Sequence, residues 1–248
     1  MEDFRVPLIR DILTGFRLVV PVASPKGGVG KTTISVALAL TMAKEGILTA
    51  LLDSDFTNPT THIALGVDVS QAMPEEEKGI IPVKVEPNLE FMSPAFYSKD
   101  EPLPLRGRET VYALRELLAV TRWSSQVLVV DTPPGLSDVL LELLRLHRDS
   151  RVLVVSTCDK LSLVSTRRML EFLSQERLKS LGVVGNMCSD CRGLSELLEV
   201  DLLGCIPFIE DMSTLEGDRE RLIGTLGPSV GKVKDRIKSL LYSLVTRS

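Results

Sequence analysis

The sequence has little of several residue types on which common binding sites depend. Its 248 residues include only two histidines, His62 and His147, so a metal site would have to rely on thiolates and carboxylates. The formal net charge is −4 and the isoelectric point is near 5.4, without the basic excess of a protein that coats nucleic acid. We therefore do not expect nucleic acid as a direct partner.

Long apolar runs are also missing. No segment approaches the roughly 18 uninterrupted apolar residues that a transmembrane helix needs. The acidic first residues lack the basic and then apolar segments of a secretory signal. These absences predict a soluble, cytoplasmic protein without a membrane partner. Four cysteines lie in the C-terminal half, and in a reducing cytosol a close pair indicates metal or redox chemistry more than a structural disulfide.

The sequence does contain a regular alternation of apolar strands and amphipathic helices. Hydrophobic residues make up 44% of the chain, which suits one large domain with a core on both faces of a sheet. The predicted fold is α/β, with a single doubly wound, mostly parallel sheet flanked by helices over residues 1–248. Predicted strands lie at 18–23, 48–52, 89–92, 127–130, 152–155, 183–184 and 202–206, and predicted helices at 34–44, 110–120, 138–146, 162–173, 194–198 and 230–245.

Three segments stand apart from this alternation. Residues 1–16 form an N-terminal arm whose apolar spacing favours a helix beside the first strand over a partner-docking arm; the residues concerned are Phe4, Leu8, Ile9 and Ile12. Residues 68–107 form a variable, proline-rich insertion. The last predicted helix, at 230–245, carries apolar residues on one face, which favours packing on the sheet over binding to a membrane.

The most specific stretch covers residues 24–33 and reads Ser-Pro-Lys-Gly-Gly-Val-Gly-Lys-Thr-Thr, between a predicted strand and a predicted helix. Glycines let successive N–H groups face phosphate oxygens, and the N-terminus of the following helix adds partial positive charge. Lys31 is expected to reach the β- and γ-phosphates, and Thr32 to offer its hydroxyl to Mg²⁺. The predicted nucleotide-binding residues of this loop are Gly27, Gly28, Val29, Gly30, Lys31, Thr32 and Thr33.

The start of this loop departs from the ordinary G-x-x-x-x-G-K-[ST] motif. Pro25 stands where the first glycine is expected, and proline has no N–H to donate. With Lys26 ahead of two glycines, the stretch resembles the deviant Walker A loop, K-G-G-x-G-K-[ST]-T, of the Mrp/MinD family, P-loop NTPases of the SIMIBI class. The resemblance implies that the nucleotide is ATP or ADP with Mg²⁺. It also implies that Lys26 reaches across an ATP-dependent, nucleotide-sandwiched homodimer to the partner's phosphates.

Two strands that end in carboxylates complete the predicted nucleotide site. Val127–Asp131 has the pattern of a Walker B strand whose acid holds Mg²⁺, usually through water. The segment Asp131-Thr-Pro-Pro-Gly135 resembles the D-T-P-P-G segment of the same family, which implies that Gly135 senses the γ-phosphate. Asp53 and Asp55 end another strand, and the resemblance implies that Asp55 orients the attacking water and contacts the Mg²⁺ shell while Asp53 supports it.

These interpretations give a defined set of residues. The predicted catalytic residues are Lys26, Lys31 and Asp55, and the predicted Mg²⁺ ligands are Thr32, Asp55 and Asp131. Asp159 is interpreted as a helix-start acid without a chemical role.

Recognition of the base is assigned to the end of a later strand. Asn186 resembles the strand-ending asparagine that reads adenine in this family, and Pro207 resembles the neighbouring loop residue that packs on the ring. An asparagine that merely forms a turn is the alternative.

A cysteine pair, Cys188-Ser-Asp-Cys191, follows directly on Asn186. Two thiolates bind one edge of a metal centre, whereas Zn²⁺ or an iron–sulfur cluster needs four ligands. A two-fold dimer would bring the same pair from both subunits to a bridging Zn, Ni or iron–sulfur site. The Mrp pattern has a longer insert and usually C-P-H-C, so a redox pair and ordinary cysteines remain alternatives. Cys158 and Cys205 are interpreted as buried small hydrophobes.

Together these features predict a Mg²⁺-dependent ATPase switch that forms a homodimer and assists metallocentre assembly, with a client or metallochaperone as further partner. Within this class, an iron–sulfur cluster carrier and a nickel-insertion factor similar to HypB-like hydrogenase maturation ATPases both remain open. The alternatives are a MinD/ParA-type positioning ATPase acting at the membrane or nucleoid, and a nucleotide-controlled adaptor without metal.

Overall fold

The computed structural model describes residues 3–98, 101, 103–198 and 200–245. Apolar runs form the strands, and helices cover the connections between them. In chain order the elements are α1 (Arg5–Gly15), β1 (Leu18–Ala23), α2 (Lys31–Lys44), β2 (Thr49–Asp53), α3 (Thr61–Leu65), β3 (Glu75–Glu76), β4 (Ile80–Ile81), β5 (Val83–Glu86), β6 (Leu89–Met92), α4 (Ala95–Ser98), α5 (Arg108–Val120), β7 (Val127–Asp131), α6 (Asp138–Leu146), β8 (Arg151–Ser156), α7 (Lys160–Gln175), β9 (Lys179–Gly185), α8 (Arg192–Leu198), β10 (Leu202–Cys205), a short 3₁₀ helix (Met212–Thr214), α9 (Arg219–Leu226) and α10 (Gly231–Val245).

Eight strands of the described chain form one sheet in the order β10-β9-β8-β1-β7-β2-β6-β5. Neighbouring strands run parallel, except that the edge strand β5 pairs antiparallel with β6. The predicted mostly parallel sheet is therefore confirmed. In the register, Asp131 of β7 lies beside Val22 of β1 and Asp53 of β2. The carboxyl ends of the central strands consequently meet at one edge of the sheet.

The core lies on both faces of this sheet and has two parts. The larger part surrounds β1, β2 and β7, and it includes α2, which α9 and α10 cover from outside. A smaller part lies around β8 and β9 with residues of α6 and α7. Each fully buried valine or leucine contributes about 1.5–3 kcal/mol, so these strands hold their ends in fixed positions.

Two helices differ in detail from the prediction. α2 begins at Lys31 rather than Ile34, because Gly30 turns the chain directly into the helix. The helix predicted in the N-terminal arm is present as α1, but Phe4 and Leu8 are exposed. Its buried residues are Val6, Ile9 and Leu13, and it packs mainly against α5 and α6.

The proline-rich insertion contains more order than its composition indicates. β3 and β4 form a small antiparallel hairpin, and β6, which was predicted as a strand, pairs with β2. α9 was not predicted, because its short sequence has only Leu222 and Leu226 as buried residues.

The apolar face of α10 is buried rather than exposed. Val233, Ile237 and Leu241 on this face are buried where the helix contacts α2, β9 and β10. The interpretation of α10 as a packing helix is therefore correct. None of the helices in the described ranges has both the length and the apolar character that crossing a bilayer requires.

Candidate functional site

The loop between β1 and α2 is shaped by two glycines with left-handed backbone. Gly28 has φ +76° and Gly30 has φ +79°, values that residues with side chains rarely adopt. A Cβ on Gly30 would also overlap Nδ2 of Asn186. Because α2 begins immediately after Gly30, the amides of its first turn have no carbonyl within the helix to bond. Exposed Lys26, Gly27 and Gly28 precede it, so the loop has the form that binds a phosphate group.

Asp131, at the end of β7, is the centre of the polar site and is 2% exposed. Its Oδ1 accepts hydrogen bonds from Lys31 Nζ at 2.6 Å and Ser35 Oγ at 2.8 Å. Its Oδ2 accepts from Thr32 Oγ1 at 2.7 Å and Thr61 Oγ1 at 3.2 Å. A buried ion pair is stable only when such additional bonds offset desolvation. The structure thus brings the predicted residues Lys31, Thr32 and Asp131 together.

Asp53 lies beside Asp131 in the sheet and is fully buried. Burial, and then the nearby negative charge of Asp131, raises the pKa of the Asp53 carboxyl to about 7. Two donors partly counter this rise, the N–H of Asp55 at 3.0 Å and the N–H of Thr61 at 3.2 Å. The hydroxyl of Ser93 also donates to this carboxyl, at 3.2 Å. A carboxyl that titrates near neutral pH therefore adjoins the centre of the site.

Asp55 is half-buried and begins the turn after β2. Its Oδ1 accepts from the hydroxyl of Thr57 at 2.7 Å and from the N–H of Asn58 at 3.1 Å. The hydrogen bonds of its carboxylate go to Thr57 and Asn58 within its own turn. The structure therefore places Asp55 at the correct edge of the sheet but outside the bonds that converge on Asp131.

Lys26 is paired within its own chain. Its Nζ lies 2.9 Å from Oδ2 of Asp159, and both side chains are nearly half exposed. Asp159 caps the N-terminus of α7 and also accepts from the hydroxyls of Ser162 and Thr157 at 2.5 Å each. These hydrogen bonds and then Lys26 hold the pKa of Asp159 well below its usual range. The helix-start role predicted for Asp159 is confirmed, and its contact with Lys26 is new.

The segment after Asp131 is attached to the phosphate loop. The N–H of Gly135 donates to the carbonyl of Ser24 at 2.7 Å, and the hydroxyl of Thr132 donates to the carbonyl of Val22 at 2.8 Å. Gly135 has φ +77°, a conformation that favours glycine. The predicted γ-phosphate sensor is thus in direct contact with the loop.

Asn186 follows β9 and also contacts the loop. Its Nδ2 donates to the carbonyl of Val29 at 2.8 Å, and the side chain is buried. Pro207 and Phe208 follow β10 and are exposed. The role of Asn186 and Pro207 in recognising the base stays a prediction.

The four cysteines differ from the prediction in their bonding and in their burial. Cys158 and Cys188 form one disulfide, and Cys191 and Cys205 form another. Cys158 is half-buried and Cys205 is exposed, so neither is the buried small hydrophobe that was predicted. The sequence singled out Cys188 and Cys191, but the structure places Cys158 and Cys205 beside them. The carboxyl ends of β8, β9 and β10 bring all four sulfurs into one group, in which Sγ of Cys158 lies 3.7 Å from Sγ of Cys191.

Several residues of the site were not predicted, although the sequence carries a signal for most of them. Ser35 lies one helical turn after Lys31 and therefore shares its face of α2. Cys158 and Cys205 each follow or end an apolar strand, as Asn186 does. Because parallel strands end at the same edge, this common position could have grouped the four cysteines. Thr61 had no comparable signal.

Comparison with known proteins agrees with this geometry. A family model described as ParA: NUBPL iron-transfer P-loop NTPase matches residues 15–199. A cytosolic Fe-S cluster assembly factor NUBP2 homolog from Monosiga brevicollis is 33% identical, over 81% of this chain and 78% of that protein. An iron-sulfur cluster carrier protein from Methanococcus maripaludis is 32% identical, over 74% of this chain and 66% of that protein. The chain thus spans about two thirds of the carrier's length.

A solved structure shares the fold. It is a nucleotide-binding protein from Archaeoglobus fulgidus in complex with ADP, with a TM-score of 0.71 and 24% identity. The alignment covers 88% of this chain and 92% of that one. The family match spans the phosphate loop, Asp131, Asn186 and three of the four cysteines, and it confirms the resemblance to the Mrp/MinD ATPases. This chain therefore belongs to the ParA family of iron-transfer P-loop NTPases.

Proposed function

We propose that this chain is a cytosolic, Mg²⁺-dependent ATPase that forms a nucleotide-sandwich homodimer and carries an iron–sulfur cluster, as cargo, to client proteins. The names of two relatives, a cytosolic assembly factor and a cluster carrier, support this class of cargo. The observation that carries the proposal is the short connection between two sites. Asn186 contacts the phosphate loop, and two residues later Cys188 joins a group of four cysteines.

The donor groups fit the proposed nucleotide and metal. Backbone amides of residues 27–33 and Lys31 are suited to a triphosphate. The hydroxyl of Thr32 and the carboxylates of Asp131 and Asp55 are oxygen ligands of the kind that Mg²⁺ prefers, and bound Mg²⁺ neutralises charge on the phosphates. Asp55 is proposed to orient the attacking water. Lys26 is proposed to serve the partner subunit's nucleotide, for which its exposure is suitable.

The connection between the two sites consists of contacts between adjacent residues. Nδ2 of Asn186 donates to the carbonyl of Val29, and Sγ of Cys188 lies 3.3 Å from the carbonyl oxygen of Asn186. The N–H of Cys188 donates to the carbonyl of Ile206 at 2.9 Å, next to Pro207. A nucleotide that favours one arrangement of the loop would therefore favour one arrangement of the cysteines.

Cluster transfer tests this proposal. The protein is reconstituted anaerobically with iron and sulfide, then mixed with the apo form of a [4Fe–4S] enzyme, and recovered enzyme activity is followed with ATP, with ADP and without nucleotide. We expect transfer whose rate depends on the nucleotide. Lys26→Ala should abolish ATP-driven dimerisation, measured by light scattering, and with it the nucleotide dependence. Lys160→Ala, which removes another exposed lysine nearby, is the control.

Two outcomes would contradict parts of this proposal. Normal ATP-driven dimerisation of Lys26→Ala would remove the role of that lysine in the partner's site. Absence of transfer under every nucleotide condition would remove the carrier function.

Nickel insertion for hydrogenase maturation is the second member of the same functional class, since thiolates also bind nickel. Metal analysis of anaerobically purified protein distinguishes the two, because iron with acid-labile sulfide supports the carrier and nickel supports insertion. Co-sedimentation with liposomes and DNA in the presence of ATP tests the positioning alternative. The buried apolar face of α10 gives no support to a membrane helix there.

A further inference from the structure

The four cysteines, Cys158, Cys188, Cys191 and Cys205, form one group within a single chain, which we name the cysteine cluster. Three of its sulfurs, those of Cys158, Cys188 and Cys191, lie within 4.8 Å of one another. The fourth, that of Cys205, is bonded to Cys191. The residues come from three segments that the sheet places side by side, because β8, β9 and β10 are adjacent and parallel.

The surroundings of the cysteine cluster are shaped to hold sulfur. A Cβ on Gly185, at the end of β9, would lie 2.5 Å from Sγ of Cys191 and 3.4 Å from Sγ of Cys188. Only a glycine leaves this space without displacing a neighbour. Cys188 and Cys191 are buried within the smaller part of the core, whereas Cys205 is exposed. The cluster therefore has a packed interior and an opening to solvent.

We infer that the cysteine cluster is a four-thiolate metal centre complete within one chain, so that each subunit holds its own centre. This inference rests on the proposed carrier function and specifies its cargo site. Four thiolates are the ligand set of structural Zn²⁺ and of iron–sulfur clusters. A Zn–S bond of about 2.3 Å gives a tetrahedral edge of about 3.8 Å. The 3.7 Å between the sulfurs of Cys158 and Cys191 matches such an edge.

Access to this centre is controlled by oxidation. In the oxidised form the four sulfurs are bonded in two pairs, as two disulfides, and cannot act as thiolates. A dithiol reductant supplies two electrons and two protons to each disulfide and is itself oxidised to a disulfide, which gives four thiols in the chain. The thiols release their protons to solvent as the metal binds, so the centre forms only in the reduced protein.

The test compares the two cysteines of the C-x-x-C pair with the two outside it. Protein is reduced with dithiothreitol under anaerobic conditions and loaded either with Zn²⁺ alone or with Fe²⁺ and sulfide. Metal per chain is measured by elemental analysis, and subunit number by light scattering. We expect one centre per chain, also in the Lys26→Ala protein as a monomer. We expect Cys158→Ser and Cys205→Ser each to lower the affinity for metal at least about 10-fold, and Cys188→Ser and Cys191→Ser to lower it equally.

Controls separate ligand loss from misfolding. Ser189→Ala alters an exposed residue between the paired cysteines and should bind metal normally. Binding of a fluorescent ATP analogue reports that each variant retains its folded phosphate loop. A second measurement needs no variant: in the unaltered chain, bound metal should protect all four cysteines from alkylation by iodoacetamide, as read by mass spectrometry.

The outcomes distinguish this inference from the proposed function. Half a centre per chain, present only in dimers and unaffected by Cys158→Ser or Cys205→Ser, would overturn the single-chain centre and leave the carrier function intact. Protection of only Cys188 and Cys191 would overturn it in the same way. One Zn²⁺ per chain that needs all four cysteines, without an iron–sulfur cluster, would support the centre and contradict the carrier function. Absence of bound metal would overturn both.

Discussion

The phosphate loop and the cysteine cluster lie at the same edge of one sheet, but different interactions hold them in place. The loop is one contiguous stretch, and buried charges fix its surroundings through the bonds that Lys31 and its neighbours make to Asp131. The cysteine cluster is collected from three segments and lies in the apolar, smaller part of the core. One site is thus ordered by charge and hydrogen bonds, and the other by packing and sulfur bonds.

Because of this difference, the two sites should respond to different kinds of substitution. Removal of a charge should disable the phosphate site, because each buried polar group there is balanced by the charge and hydrogen bonds of its partners. Added volume should disable the cysteine cluster, because its sulfurs are packed without spare space. Asn186 and Met187 join the two sites, and Met187 has a left-handed backbone with φ +58°. Four substitutions test this comparison.

The largest expected effect is the loss of ATP hydrolysis when the phosphate site loses the charge of Asp131. Asp131→Asn keeps the shape of the side chain but removes the charge that Lys31 pairs with and a proposed Mg²⁺ ligand. We expect ATP hydrolysis, measured as phosphate release, to fall at least about 100-fold while ATP binding and dimerisation persist. Asp138→Asn, which alters an exposed carboxylate at the start of α6, is the control. Hydrolysis at the wild-type rate would show that the charge of Asp131 is not needed for catalysis.

The second effect is a loss of thermal stability and metal loading at the cysteine cluster. Gly185→Ala places a methyl group 2.5 Å from Sγ of Cys191 and 2.8 Å from Cδ1 of Leu194. Such overpacking costs about 1–3 kcal/mol, so the melting temperature should fall by several degrees. Metal loading should weaken while ATP binding persists. Gly224→Ala, where an added Cβ meets nothing within 4 Å, is the matched control, and equal melting of the two variants would contradict close packing at the cluster.

The third effect is a pH dependence of the free energy of unfolding, which comes from Asp53 in the phosphate site. The pKa of Asp53 is raised from 3.8 to about 7, so the folded chain keeps a proton that the unfolded chain has lost. The resulting stability is complete below about pH 4 and is lost as the pH rises toward 7, by at most about 1.4 kcal/mol per pH unit. In magnesium-free buffer, the free energy of unfolding should therefore fall more steeply with pH in the wild type than in Asp53→Asn. Parallel curves would contradict the burial of a titrating carboxyl.

The smallest effect is at the exposed pair between Lys26 and Asp159. Asp159→Asn keeps a residue that caps α7 but removes the charge that holds Lys26 in its own chain. Exposed pairs contribute about 0.2–1 kcal/mol, so the ATP-driven dimer should tighten by at most about fivefold in a light-scattering titration. Asp149→Asn, which alters the exposed pair with Lys179, is the control. A weaker dimer would show that Asp159 assists rather than restrains Lys26.

The sequence predicted most of the fold because the strands are apolar throughout and the helices between them are periodic. β1, β7 and α6 lie within one residue of their predicted bounds. The errors have physical causes. Phe4 and Leu8 fit helical spacing but face solvent, because α5 and α6 cover a neighbouring stripe of α1. The hairpin of β3 and β4 has two-residue strands, too short for a periodic signal.

The amino-acid sequence by itself determined the phosphate loop, because its glycines and lysines act through the local backbone and the strand and helix that flank it. It also determined Asp131, since an apolar strand that ends in a carboxylate needs no distant partner to be identified. Only the tertiary structure decided that Cys158 and Cys205 join Cys188 and Cys191, because strand order sets which ends are neighbours. Burial beside a second carboxylate decided the high pKa of Asp53, a property of the packed sheet rather than of the local sequence.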